Sequence, residues 1–499
     1  MTLTPWRLRL LLVSLLTVSF LGALDHTVVA TSLATIAGDL GAVQQMSWVI
    51  VSYTLASTVM LPVIGKLGDL LGPRLVFLSC LVLFLAASLF CGLAQDITQL
   101  ALARVAQGIG SAGLHLMPQT IIGSVVPPRQ RPRVLSIIGA AFPIAILVGP
   151  LLGGVITDTF GWRWIFWVNI PVGLLALALA VVAVPHIDGR TGRRFDIAGA
   201  VTLGTAVTAM VLAASWASSD GWSIHPPIVI AGVVAFVALA AFISIELRVP
   251  EPLVPLRHFA DRTILICIVL SAVIGVGLFS IVSYVPTYIQ MAYRTSATVS
   301  GLVPIATVFG MLVSTLVTGW LASRSGRYRP FPIIGTTLAA TGLLVMAFLP
   351  AGLPLWVPMA AMALVGVGTG AFMNILVAVA QSAAPRSDTG SVTATVSLVR
   401  QIGSTTATAI VGGVIGAGVA VGLPASLDAA TLTPAVVHAS SAAAQAEVAQ
   451  VYSSVLGPIF IALAIAYAVG IVAALLLPRG RLSEDFEPQP VTAPETAAA

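Results

Sequence analysis

Gly65-Lys66-Leu67-Gly68-Asp69-Leu70-Leu71-Gly72 closes one long apolar stretch of this chain, and Gly319-Trp320-Leu321-Ala322-Ser323-Arg324-Ser325-Gly326 closes another. In both copies the outer glycines stand seven residues apart, and the copies are offset by 254 residues. The first follows the second apolar window of the chain and the other follows the tenth. A segment repeated at equivalent places implies two six-helix halves in parallel orientation, spans 1–6 and 9–14, with spans 7 and 8 inserted between them.

The surroundings of these segments decide the medium. Of 499 residues, 58% are hydrophobic and 8% charged, against roughly 25% charged in soluble domains. So few charges cannot cover a soluble surface, so lipid is the outer solvent and each span satisfies its own backbone as a helix. Windows of about 20 apolar residues, enough to cross the hydrocarbon, recur at about 10–30, 46–65, 75–94, 98–122, 134–157, 164–184, 196–215, 226–246, 263–285, 299–321, 331–350, 355–380, 394–418 and 455–477, fourteen in all. The fold class is an all-α polytopic membrane protein. Residues 1–185 form the first bundle, 186–257 a linker holding spans 7 and 8, and 258–478 the second bundle. Residues 479–499, with Glu484, Asp485, Glu487 and three prolines, read as a disordered tail, and 419–454 as a solvated spacer. The apolar run after Arg9 leads into Asp25 with no small-residue cleavage site, so it is a retained span and not a secretory signal.

Charge placement tests the count. With the N-terminus inside, nineteen of the 23 basic residues fall in cytoplasmic segments, among them Arg7, Lys66, Arg74, Arg129, Arg190, Arg193, Arg194, Arg257, Arg327, Arg386 and Arg481. Only Arg163 and Arg294 fall outside, while Arg104 and Arg400 lie within spans. One miscounted helix would invert every later loop, so the positive-inside rule supports an even count with both termini cytoplasmic. The basic excess reports topology and calls for no nucleic-acid partner. Trp48, Trp162, Trp164, Trp167, Trp222 and Trp356 near helix ends fit an interfacial belt.

Asp25 is the one carboxylate well inside a span, where charge is costly and by default functional. It lies about 22 Å from the inner end of its helix, and Arg104 about 10 Å below the outer surface, so the two share a depth. The bland reading is a static ion pair locking two helices. The functional one is a carboxylate that holds a proton when dry and releases it when a cation approaches, and the lack of a competing intramembrane acid favours it.

In the stretch Gly65–Arg74, Asp69 either caps span three or pairs with a neighbouring arginine; a plain turn and a latch between halves fit equally. Gly149, Pro150, Gly153 and Gly154 in span five permit close helix packing and a kink. His115, Met117, Gln119, Phe142, Tyr284, Tyr288, Asn374 and Gln381 are candidate substrate-cavity residues, although such residues more often serve packing or helix–helix hydrogen bonds. The lone lysine, Lys66, precedes Leu67, so there is no phosphate loop, and no nucleophile elbow or zinc-helix motif occurs. Cys80, Cys91 and Cys267 form no disulfide framework or metal site; the first two are about 16 Å apart on one helix. An enzyme is not indicated and no cofactor is expected; an ion gradient supplies the energy.

Taken together these segments resemble the major facilitator superfamily, specifically its fourteen-span drug:proton antiporters of the EmrB/QacA type. The resemblance runs from about residue 20 to 477 and rests on Leu24–Ile36, Ser47-Trp48, Gly65–Arg74, Arg104–Gly108, Gly149–Gly154, Trp162–Pro171, Ser325–Tyr328 and Arg400–Gly403. It implies proton coupling at Asp25 and Arg104, gating at Gly65, Asp69, Gly72 and Arg74, and an antiporter motif at Gly149–Gly154. There are departures: Ala34 stands where the family has proline, Pro73 interrupts a basic pair, and Ser323 replaces the counterpart of Asp69. Spans ten and thirteen hold no acid, which argues for neutral or monocationic lipophilic substrates.

The expected function is therefore proton-coupled multidrug efflux by alternating access. The protein would act as a monomer in the bacterial inner membrane and confer antibiotic resistance. A dedicated exporter of a secondary metabolite, siderophore or lipid gives the same signals. A non-transporting sensor or scaffold has no reason to bury a titratable group.

Overall fold

The computed structural model describes residues 5–41, 45–189, 195–219, 225–350, 353–423, 436–437 and 440–484. Trp222, Arg190, Arg193, Arg194 and the tail beyond residue 484 lie outside these residues, as do positions 424–435 and 438–439 of the expected spacer. Among the described residues the chain is helical, and its one bridge joins Arg327 to Arg481.

The helices are α1 (Pro5–Asp39), α2 (Ser47–Leu71), α3 (Pro73–Leu93), α4 (Ile97–Val125), α5 (Arg131–Gly139), α6 (Ala141–Phe160), α7 (Trp164–Trp167), α8 (Asn169–Ala183), α9 (Ile197–Ser219) and α10 (Pro226–Glu246). They continue as α11 (Arg262–Ile274), α12 (Ser280–Ala292), α13 (Ala297–Ser300), α14 (Leu302–Ser325), α15 (Pro330–Phe348), α16 (Trp356–Gly370), α17 (Met373–Ala383), α18 (Thr389–Gly422) and α19 (Ala442–Leu476). Several pairs make single spans: α5 with α6, α7 with α8, α16 with α17, and α11 with α12 through a π-helical turn at Gly275–Phe279. Thirteen spans among the described residues are long and apolar enough to cross a membrane. The fourteenth is α4, which at 29 residues is long enough. Its Gln99, Arg104, Gln107, Ser111, His115 and Gln119 dilute its apolar character.

Helices α1–α8 pack chiefly on one another, α3 and α2 against α4 and α1 against α6 and α8, and α11–α19 do likewise through α14 on α16 and α15 on α16 and α19. Helices α9 and α10 pair, and α9 wedges against both α2 and α18, where Leu203, Val207, Phe242 and Leu398 share a small apolar cluster. Phe236 of α10 is 74% exposed, as expected of a side chain whose solvent is lipid.

The structure refines several sequence expectations. Gly65–Leu71 is not a loop: α2 runs to Leu71, and the turn is Gly72 alone, at φ +89°. That left-handed angle is open to glycine, and Pro73 then starts α3 where its missing N–H is harmless. Pro150 lies inside the continuous α6, and the span has a further interruption at Ala140. The spacer before the last span is shorter than expected, because α18 extends to Gly422 and α19 begins at Ala442, capped by Ser441. Finally, the start of the tail is ordered. Leu482 N donates to Gly326 O at 2.9 Å and Arg129 N donates to Ser483 O at 3.1 Å, while the Arg129 guanidinium pairs with Glu484. The tryptophan belt holds for the exposed Trp48, Trp164 and Trp356, but Trp162 is buried and donates to Asp39 at 2.9 Å.

Candidate functional site

Asp25 sits in α1 at 2% exposure and Arg104 in α4 at 1%. The two meet: Arg104 Nη1 lies 2.6 Å from Asp25 Oδ2. The other carboxylate oxygen accepts from Gln107 Nε2 at 2.9 Å and from Asn169 Nδ2 at 3.0 Å. Gln107 is one turn beyond Arg104, so both face the same way, and its Oε1 in turn accepts from Arg104 at 2.8 Å. Arg104 Nε reaches Val49 O of α2 at 3.2 Å, and its guanidinium lies 4.0 Å from the centroid of the Tyr53 ring. Ser88 of α3 accepts from Gln107 and Asn169, and its hydroxyl donates to Phe166 O at 2.8 Å.

This arrangement solves a costly problem. An ion pair removed from water is stable only when the remaining donors and lone pairs are also satisfied. Here three donors meet the carboxylate, and the guanidinium has an acceptor on each of three helices. One proton added to Asp25 would remove the negative end of the pair and weaken the bonds this carboxylate makes to α4 and α8. The site thus couples a titratable group to the packing of four helices, α2 included.

At the end of the bundle where Gly72, Arg129 and Gly326 lie (the basic end), Asp69 neither caps α3 nor pairs with an arginine. Its carboxylate receives the first amides of α18, Gly390 N and Ser391 N, each at 2.8 Å, and the Ser391 hydroxyl at 2.6 Å. Asp69 therefore acts as an N-terminal cap supplied from the other half, at the positive end of a helix dipole. A Cβ on Gly65 would stand 2.5 Å from Ala394 Cβ, so this glycine permits the contact. The second copy does the matching task differently. A Cβ on Gly319 would strike the Ser136 side chain of α5, and the carbonyls of Ser323 and Arg324 accept from Arg129. Backbone oxygens stand in where the copy has serine for aspartate. Arg74 remains in its own half, donating to Val181 O at 2.8 Å.

Gly149 and Gly153 face α1: a Cβ on Gly149 would collide with Thr27, and one on Gly153 would lie 2.5 Å from Thr31 Oγ1. Gly154 has nothing within 4 Å of such a Cβ. The motif thus seats α6 against the helix that carries Asp25, with Pro150 between the two contacts.

The proposed cavity residues divide. His115 is exposed, and Gln119, Phe142, Tyr284 and Asn374 are half-buried. Tyr284 donates to Thr408 O at 3.0 Å. Met117 and Tyr288 are not on an open surface: Met117 is fully buried beside Gly68, and Tyr288 packs on Phe460 and Tyr293. Gln381 is also buried; it joins the halves by donating to Gln119 O at 3.0 Å and bonds Thr393 Oγ1 of its own half at 3.0 Å. Asn374 lies against Gly139 of α5.

Sequence reasoning missed Gln107, Asn169, Ser88 and Tyr53 as members of the Asp25 network. Gln107 was findable from its one-turn spacing to Arg104. Asn169 is one of only two asparagines in the chain and interrupts an apolar span. Ser88 and Tyr53 carry no such signal, since neither is unusual in a membrane helix.

The Major Facilitator Superfamily profile matches residues 15–408. An uncharacterised MFS-type transporter of Mycobacterium tuberculosis is 34% identical over 482 residues, covering 95% of this chain and 70% of that protein. The multidrug transporter protein MdtP of Bacillus subtilis is 33% identical over 415 residues, covering 82% and 75% respectively. The solved structure of the proton:xylose symporter XylE superposes with a TM-score of 0.60 at 15% identity, over 95% of this chain and 97% of that one. These relatives are transporters and not enzymes, and the structural likeness extends over both halves. The chain is a member of the major facilitator superfamily of membrane transporters.

Proposed function

We propose that this transporter exports lipophilic small molecules in exchange for inward-moving protons, with Asp25 as the proton carrier and Arg104 as its counter-charge. The observation that carries the reading is the Asp25 network: the one acid at membrane depth among the described residues, fully buried and bonded to three side chains on two other helices. In this reading protonation breaks the tie between α1, α4 and α8, and deprotonation restores it. The gate at the other end is Asp69 with the start of α18, supported by Gly65, Gly72, Arg74 and the Arg129 contacts. With both termini cytoplasmic in a bacterial inner membrane, the conformation described is shut toward the cytoplasm. MdtP, a multidrug transporter by name, supports efflux as the direction. The protein acts as a monomer and needs no cofactor beyond the proton gradient.

The test is dye retention in cells that express the chain, using a panel of lipophilic dyes with and without a protonophore. Export that collapses with the gradient supports the reading. Export that persists without a gradient refutes proton coupling, and no export of any dye, with membrane insertion verified, favours a dedicated exporter of one product.

A further inference from the structure

Two arginines are buried at membrane depth, and they differ in one respect. Arg104 is surrounded by acceptors. Arg400, in α18, is 7% exposed, and no hydrogen bond or ion pair joins its guanidinium to any described residue. It lies about 17 Å along α18 from Thr389, near the middle of the hydrocarbon. The helix is held there by close backbone contact, because a Cβ on Gly275, at the π-helical turn between α11 and α12, would press on Arg400 O. Such π-helical turns occur frequently at functional sites.

We infer that Arg400 is the counter-charge for the transported molecule, and that the substrate is an amphiphilic organic anion such as a lipophilic carboxylate or sulfonate. This rests on the export reading above and adds the substrate class. A guanidinium offers five donors and accepts nothing, and a buried charge without a partner is strongly unfavourable. The protein supplies no partner among its described residues, so a ligand anion is the natural one. Ser397, one turn earlier on α18, has a buried hydroxyl that is likewise without a partner, and at this spacing it shares a face with Arg400.

The remaining charges point the same way. Asp25 is the only acid at this depth among the described residues, and its oxygens are already committed to Arg104, Gln107 and Asn169. A cationic substrate would meet one guanidinium and no available carboxylate. An anion would meet a charge that lacks a partner among the described residues, with the unpartnered Ser397 hydroxyl on the same face of α18.

The experiment uses the full chain in phosphatidylcholine nanodiscs without a proton gradient, titrated with anilinonaphthalene sulfonate and with its uncharged congener phenylnaphthylamine. The sulfonate is expected to bind about tenfold more tightly, the scale of one charge-assisted contact in a dry site. Arg400→Gln should abolish that preference while phenylnaphthylamine still binds, which also shows that the variant is folded; Arg400→Lys should retain part of it. Equal affinities in the unaltered protein, or a preference that survives Arg400→Gln, would overturn the assignment. If Arg400→Gln does not fold, the unaltered protein and Arg400→Lys decide. Because no gradient is applied, loss of proton coupling would leave this result standing, and the reverse also holds.

Discussion

The carboxylate of Asp69 receives both the backbone amide of Ser391, at 2.8 Å, and its hydroxyl, at 2.6 Å. The two residues belong to opposite halves of the molecule, so a cap that normally stabilises one helix here joins two bundles. Removing it leaves the first turn of α18 without acceptors, since Asp388 makes no capping bond.

Asp69→Ala should therefore open the basic end. Losing these charge-assisted bonds is worth about 1–3 kcal/mol, or roughly 5- to 150-fold in the closed-to-open ratio. Spin labels at the exposed positions Arg133 and Arg386 would report it as a longer-distance population in pulsed electron resonance. An unchanged distance distribution would show that the Gln381 and Arg129 contacts hold the end shut without Asp69.

The buried pair makes a second, counter-intuitive prediction. Arg104→Gln alone strands a dry carboxylate, at about 3–5 kcal/mol, whereas Arg104→Gln with Asp25→Asn removes both charges. The double variant should melt at a higher temperature than the Arg104→Gln single variant in the same detergent. A double variant that melts lower would mean that the charges do not share one electrostatic unit.

What the sequence disclosed follows from its physics. Apolar windows and the bias of arginine toward one side are long-range signals, and they located fourteen spans even where α4 is too polar to stand out. Asp25 and Arg104 were legible because charge in hydrocarbon is rare. Asp69 was legible as a possible latch, but its partners were not, because they are chiefly backbone amides of a helix 321 residues away, and amides leave no mark on a sequence. Met117 and Tyr288 look no different from cavity residues until packing assigns them to the core. Arg400 was visible as an intramembrane charge, but its lack of a partner is a property of the folded chain alone.

The span-five glycines should separate by face. Gly149→Ala forces a methyl group into Thr27 of α1 and should cost about 1–3 kcal/mol, with lower thermal stability and reduced transport. Gly154→Ala meets open space and should match the unaltered protein in both. If the two variants behave alike, the motif does not act through α1 packing. Melting curves and dye export of the pair give the comparison.

The most direct test of the central claim follows proton movement across proteoliposomes when substrate is added, with the unaltered protein and Asp25→Asn compared at equal reconstitution. The account predicts substrate-dependent proton flux for the unaltered protein and none for Asp25→Asn, while substrate binding to the variant persists. Proton flux in Asp25→Asn equal to that of the unaltered protein would contradict the account and make the Asp25–Arg104 pair a structural lock between α1 and α4.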